Sequence, residues 1–267
     1  MASLDSCEMD GDADFYGIGI RLGLYAQSLT TLLVTLFVQE EEAVNRILNL
    51  LLQLAIFAGT LLSTNAGTIH AFEVIIVFWL LVGALSSLTG SGVTGTHSFS
   101  GICRLLFYIA LSAYGCWFFF EGQDAMQDTP CVQIVFFGES SLNGWFRTFG
   151  KAASIISLTI CVGLLAWAGT TYAKRGGGEK PRRVSYRPQT EITLMLLSIA
   201  TVILSITSAE YVITANHLSG VDDIFDVGQV LAFLVGVFQL LNVLVPIFLK
   251  GHLWAPRCWL LFGRHLT

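Results

Sequence analysis

Charge is what this sequence has least of. Only 12% of its 267 residues are Asp, Glu, Lys or Arg, about half of the ~25% typical of a soluble domain. So few charges cannot cover a water-facing globule, so lipid is expected to cover much of the chain. The six cysteines include no C-x-x-C pair, which excludes the usual zinc spacings and a disulfide-rich scaffold. Lys and Arg are missing from residues 1–14, so no basic leader of a cleaved signal peptide is present there. No N-x-S/T site occurs. Nor does H-E-x-x-H, G-x-S-x-G, a Walker A loop or a dinucleotide fingerprint.

What is present is apolar sequence in seven runs: Gly17–Val38, Ile47–Thr64, Ala71–Leu88, Ile102–Phe120, Ala152–Tyr172, Ile192–Ile213 and Val227–Leu249. Each is close to the ~20 residues that cross ~30 Å of hydrocarbon as a helix. The runs are continuous rather than alternating, and lipid leaves their backbone groups no partners outside the helix. The expectation is an all-α bundle of seven transmembrane helices. Residues 1–16 read as an acidic extracytoplasmic tail, 17–249 as one membrane domain and 250–267 as a cytoplasmic tail.

Orientation follows from the basic residues. Lys174, Arg175, Lys180, Arg182, Arg183 and Arg187 crowd the connection between the fifth and sixth runs. The positive-inside rule puts that connection in the cytoplasm. Seven crossings then place the N-terminus outside. Cys7 and Cys131 fall on that outer side, where a disulfide and two free thiols are equally open readings. The longest connection, Glu121–Lys151, also lies outside. Its pieces Val132–Phe137 and Trp145–Phe149 suit a short cap on the bilayer surface.

Ionisable residues within a span are costly, so each one points to function. Arg21, Glu73 and Glu210 stand out. On the expected topology all three sit in the outer third of the membrane, with Asn65, His70 and Gln229 nearby. One layer of polar groups suggests a pocket opening outward. A structural Arg21–carboxylate pair, or side chains reaching for the interface, are the competing readings.

The first run carries two stripes. Tyr16, Gly19, Gly23 and Gln27 share one helical line, and Gly19–Gly23 is a G-x-x-x-G that lets another helix approach closely. Asp14, Gly17, Arg21, Tyr25 and Ser28 share the other. In the seventh run there is no Lys, which leaves a retinal Schiff base unsupported. Just before it, Asp222-Asp-Ile-Phe-Asp226 matches the D-D-x-x-D of class I terpene synthases. No second metal motif accompanies it, and an acidic first turn of the following helix is the favoured reading.

The stretch Asp14-Phe-Tyr-Gly-Ile-Gly-Ile-Arg-Leu-Gly-Leu-Tyr-Ala-Gln27 resembles the opening of a group of filamentous-fungal seven-span proteins. Their first span reads D-x-Y-G-x-G-x-R-x-G-x-Y-x-Q. The chain is also similar in size and span layout to small membrane enzymes of fungal secondary metabolism. These include membrane-bound terpene cyclases and epoxide-opening hydrolases, although none of their catalytic motifs is matched. The resemblance implies an endomembrane enzyme, of the endoplasmic reticulum or a similar compartment. It would open an epoxide of a lipophilic terpenoid or polyketide. Glu73 or Glu210 would be the protonating acid, because a carboxyl in an apolar pocket holds its proton. Arg21 completes the expected catalytic set. Asp14, Tyr16, Tyr25, Gln27, Asn65, Asp226 and Gln229 are the expected substrate contacts. No metal or cofactor is expected; the partners are the bilayer and a lipophilic small molecule. The alternative is a non-enzymatic receptor, channel or scaffold, in which an outer-side pocket binds a ligand and Arg21 pairs with Glu73 or Glu210.

Overall fold

A computed structural model describes residues 9–37, 42–84, 99–126, 134–137, 140–174, 188–224 and 226–249. Cys7 and Cys131, residues 175–187 of the basic connection and the tail from residue 250 lie outside these residues. In chain order the elements are β1 (Met9–Asp10), α1 (Ala13–Tyr16), α2 (Ile18–Phe37), α3 (Glu42–Ala66), α4 (Ala71–Gly83) and α5 (Phe99–Trp117). A π-helical turn at Phe118–Gly122 leads into α6 (Gln123–Ala125). Then come β2 (Ile134–Phe136), β3 (Ser140–Ser141), α7 (Trp145–Lys174), α8 (Pro188–Ala215), β4 (Leu218–Ser219) and α9 (Val227–Leu249).

Each apolar run therefore yields one helix of 13 residues or more. Five of these are long and apolar enough to cross a membrane: α3, α5, α7, α8 and α9. Helix α4 is apolar but is described over only 13 residues. Helix α2 is diluted by Arg21, Gln27 and three threonines. Burial supports a lipid setting. Only 6% of the apolar window of α7 is buried inside the protein, against 56% for α5. Leu62, Phe238 and Phe248 likewise point outward. Such large bare apolar faces are tolerable against lipid and not against water.

The fold is mostly helical, as the sequence suggested, with two short strand pairs beside the helices. Within the acidic N-terminal segment, residues 9–16 carry a short strand and a short helix. β1 pairs in parallel with β4, with Met9 opposite Leu218 and Asp10 opposite Ser219. β2 and β3 form an antiparallel pair. The expected surface cap also differs in detail: residues 134–136 are a strand held to the bundle, and Trp145–Phe149 is the first turn of α7. Asn216 acts as a strand edge for that cap. Its Oδ1 accepts from the Ile134 N–H at 2.9 Å, and its Nδ2 donates to the Ile134 carbonyl at 2.6 Å. Phe136 then stacks on Trp79 of α4 and Phe146 of α7.

Helix α2 lies against α9, α5 against α7, and α4 against α8. The α2–α9 pair is parallel and close because of glycine. A Cβ on Gly19 would sit 2.6 Å from the Gln229 carbonyl oxygen, and one on Gly23 would sit 2.4 Å from that of Ala232. On the other helix, a Cβ on Gly236 would meet the Gly23 carbonyl oxygen at 2.4 Å. No side chain fits these spaces, so the G-x-x-x-G is a packing motif. The α5–α7 pair carries a Ser112–Ser157 hydroxyl bond of 2.8 Å, a polar bond between helices of the kind common in membranes.

β1 and α1, the α3–α4 connection, the β2–β3 hairpin and the α8–α9 connection gather at one end of the bundle. Hydrogen bonds join Asp12 to Glu73, Gly11 to Ser219 and Ile134 to Asn216. Most of the polar residues singled out in the sequence collect at this end, Gln27 excepted.

Candidate functional site

Two polar assemblies occupy the end of the bundle. The first is built on Glu73, which is 3% exposed. His70 ends the α3–α4 connection in extended conformation, and Ala71 begins α4. Glu73 lies in the first turn, where a carboxylate reaches back to the free N–H groups of the helix start. Its Oε2 accepts from the His70 N–H at 2.7 Å and lies 3.2 Å from His70 Nδ1. Its Oε1 accepts from the Tyr16 hydroxyl at 2.8 Å and from the Asp12 N–H at 3.2 Å. The Tyr16 hydroxyl also accepts from the Asp12 N–H at 3.0 Å. Tyr16 is completely buried. That burial, with the neighbouring Glu73 charge, pushes its hydroxyl pKa well up, so it stays protonated and donates.

Asp12 caps α1 by accepting from the Asp14 N–H at 2.9 Å. Burial raises its carboxyl above the usual range, the Asp14 N–H opposes the shift, and the Glu73 charge adds to it. Beside this assembly is an open depression of about 360 Å³, lined by Asp10, Gly11, Asp12, Ala13, Asp14, Thr68, His70, Glu73 and Asp226. Five of the nine are acids, and His70 is the one basic side chain.

The second assembly is built on Arg21, 3% exposed. Its Nη1 donates to Glu210 Oε2 at 2.5 Å and its Nη2 to Asp222 Oδ1 at 2.6 Å. Nη2 also reaches the Val221 carbonyl at 3.3 Å. The Tyr25 hydroxyl donates to the other Glu210 oxygen at 2.8 Å. The guanidinium thus joins α2, the C-terminal end of α8 and the α8–α9 connection. Planar donors suit this task, since one head must serve three acceptors. The Glu210 side chain is 42% exposed and that of Asp222 74%, so each carboxylate keeps a face toward its surroundings.

The residues expected to form one pocket are therefore divided. Asp14, Asp226 and Glu73 line the depression. Arg21, Tyr25 and Glu210 form the ion network, and Arg21 is paired with Glu210 rather than Glu73. Gln229 is buried against Gly17 and Gly19, its Oε1 accepting from the Gly19 N–H at 3.4 Å. Gln27 is buried two turns deeper along α2. Asn65 is exposed at the end of α3 and belongs to neither assembly. The D-D-x-x-D does not share one helix face: Asp222 lies in a bend and Asp223 in irregular chain, while the Asp226 carbonyl accepts the first helical bond of α9, from Val230. Among the described residues, no three His, Cys, Asp or Glu are placed to hold a metal ion.

Asp10, Asp12, Thr68 and Asn216 were not singled out from sequence. For Asp12 a signal was available. An Asp one residue before a short helix is a common cap. The Thr68 and Asn216 placements depend on chain brought in from far away. The aromatic seam between α3, α4 and α5, lined by Phe57, Phe78 and Tyr114 among others, admits no water-sized molecule. No protein-family model, curated protein or solved structure matches the chain.

Proposed function

We propose that the protein is a seven-helix integral membrane protein that recognises a cationic ligand, an organic ammonium, at its extracytoplasmic end. The carrying observation is the depression with five acids and a single imidazole in its lining. Carboxylates around a concave surface focus a negative potential that draws cations in and rejects anions. Membrane crossing by α2 and α4 beside the five long apolar helices rests on the alternation of connections between the two ends. The outward orientation of the depression rests on the positive-inside rule, which assigns the basic run 174–187 of the sequence to the cytoplasm.

The epoxide-opening reading asks for a carboxylic acid with a free O–H aimed into an apolar chamber. Glu73 instead accepts on both oxygens, and Glu210 accepts from Arg21 and Tyr25. Both carboxylates are engaged as acceptors, which favours recognition over acid catalysis.

The test uses the full chain in nanodiscs, titrated at low salt with tetramethylammonium, spermidine and a neutral polyol. The two amines should bind and the polyol should not. Replacing two of the three exposed acids, Asp14→Asn with Asp226→Asn, should weaken amine binding about tenfold or more, equivalent to about 1.4 kcal/mol. Equal affinity in parent and double variant would remove the proposal. A single cysteine at Asp14 should label from the extracytoplasmic face of sealed vesicles.

A further inference from the structure

The parallel contact of α2 and α9 has a readable register. Gly23 meets Ala232 and Gly236. Further along, Val34, Val243 and Ile247 form one buried cluster. Gln27 stands four residues after Gly23 and seven before Val34; Gln239 stands three after Gly236 and four before Val243. Steps of three, four and seven keep a residue on one helix face. Gln27 and Gln239 therefore lie at matching height on facing stripes. Gln27 is completely buried and Gln239 is 4% exposed.

Neither atom of the Gln27 amide has a hydrogen-bond partner, and nor does Gln239 Nε2. A primary amide carries two donors and an acceptor with two lone pairs. Inside an apolar bundle, leaving them unmade is costly. No charged residue occurs from Gly23 to Val34 or from Gly236 to Val243, so the stripes offer nothing to hold an ion. The backbones are held close one turn away by glycine, so a guest here must be small.

We propose that Gln27 and Gln239 form an internal hydration site, holding one water molecule between their side-chain amides. Water fits because it is neutral, small, and both donates and accepts. It accepts from Gln239 Nε2 and donates to Gln27 Oε1. The site is independent of the acidic depression and uses none of its residues.

The test is a double-mutant cycle in the full chain, with Gln27→Met, Gln239→Met and both together. Methionine keeps the length and removes the polar head. Each single variant leaves the other amide without its water, so each should lower the unfolding midpoint by several degrees. The double variant should lose less than the sum of the singles. X-ray radiolytic hydroxyl labelling supplies a second readout. Oxidation in the peptides carrying positions 27 and 239 should be present in the parent and lost in the Gln27→Leu, Gln239→Leu double variant, leucine standing in for methionine in this readout because methionine itself oxidises readily. Additive midpoints, or equal oxidation in parent and double variant, would overturn the site.

Discussion

Glu73→Gln is the sharpest perturbation of the polar end of the bundle. The carboxylate accepts from Asp12 N, Tyr16 Oη and His70 N at 2.7–3.2 Å and lies 3.2 Å from His70 Nδ1. A glutamine keeps one oxygen, which can serve one side. Its NH₂ must then face two groups that also donate. A hydrogen bond to a charged group contributes about 1.5–3 kcal/mol. Loss of two such bonds, in a residue that cannot turn to water, costs on the order of 3–5 kcal/mol. For a chain of this size that is roughly a 10 °C fall in unfolding midpoint. The assay is thermal unfolding of the purified protein in detergent, run beside limited proteolysis of the N-terminal segment. Cleavage near residues 9–17 should accelerate, because Asp12 and Tyr16 lose their anchor. Tyr16→Phe removes one contact and should give a smaller fall of the same kind. A Glu73→Gln midpoint within about 2 °C of the parent, less than about 1 kcal/mol, would refute the anchoring argument.

Other expectations follow from the same geometry. Gly23→Ala should destabilise by about 1–3 kcal/mol through overpacking against the Ala232 backbone. Gly163→Ala, at an open position on α7, should be neutral or stabilising in the same unfolding measurement. Asp12 has a raised carboxyl pKa. Its contribution to stability is complete below the ordinary value of 3.8 and is lost as pH rises through the raised value. Asp12→Asn keeps the cap and removes the charge beside Glu73. It should raise the midpoint at neutral pH and leave it unchanged at low pH. Asn216→Ala should release the β2 strand, read as faster proteolysis within residues 134–141.

The helical layer was legible because lipid imposes a simple rule: every long apolar run must satisfy its own backbone. Each of the seven runs coincides with one described helix, five of them long and apolar enough to cross a membrane, and the Gly19–Gly23 contact was readable from spacing alone. Boundaries moved where apolarity was not the deciding force. α7 begins at Trp145, because its first turns are aromatic and basic residues suited to an interface. One of them, Arg147, bonds to Asp124 and to the Phe119 and Phe120 carbonyls. α8 begins at Pro188, a residue whose missing N–H costs nothing in a first turn. The site was legible only in part. That Arg21 would meet a carboxylate was an open expectation, but the choice of Glu210 over Glu73 depends on which helices are neighbours. The folding of residues 9–12 into a strand and cap was hidden. Its partners, Glu73 and Ser219, lie 61 and 209 residues away from Asp12 and Asp10, and no local pattern announces them.

The joining of α2 to α9 has a consequence for biosynthesis. Arg21 finds its carboxylates 189 and 201 residues later in the chain, and the glycine face of α2 is covered by a helix that starts at Val227. During translation α2 is therefore made with its cation unneutralised and its groove open. It must wait until Glu210, Asp222 and α9 have been made. A chain stalled before Glu210 would leave Arg21 unpaired, so truncated chains should be recognised and degraded rather than accumulate.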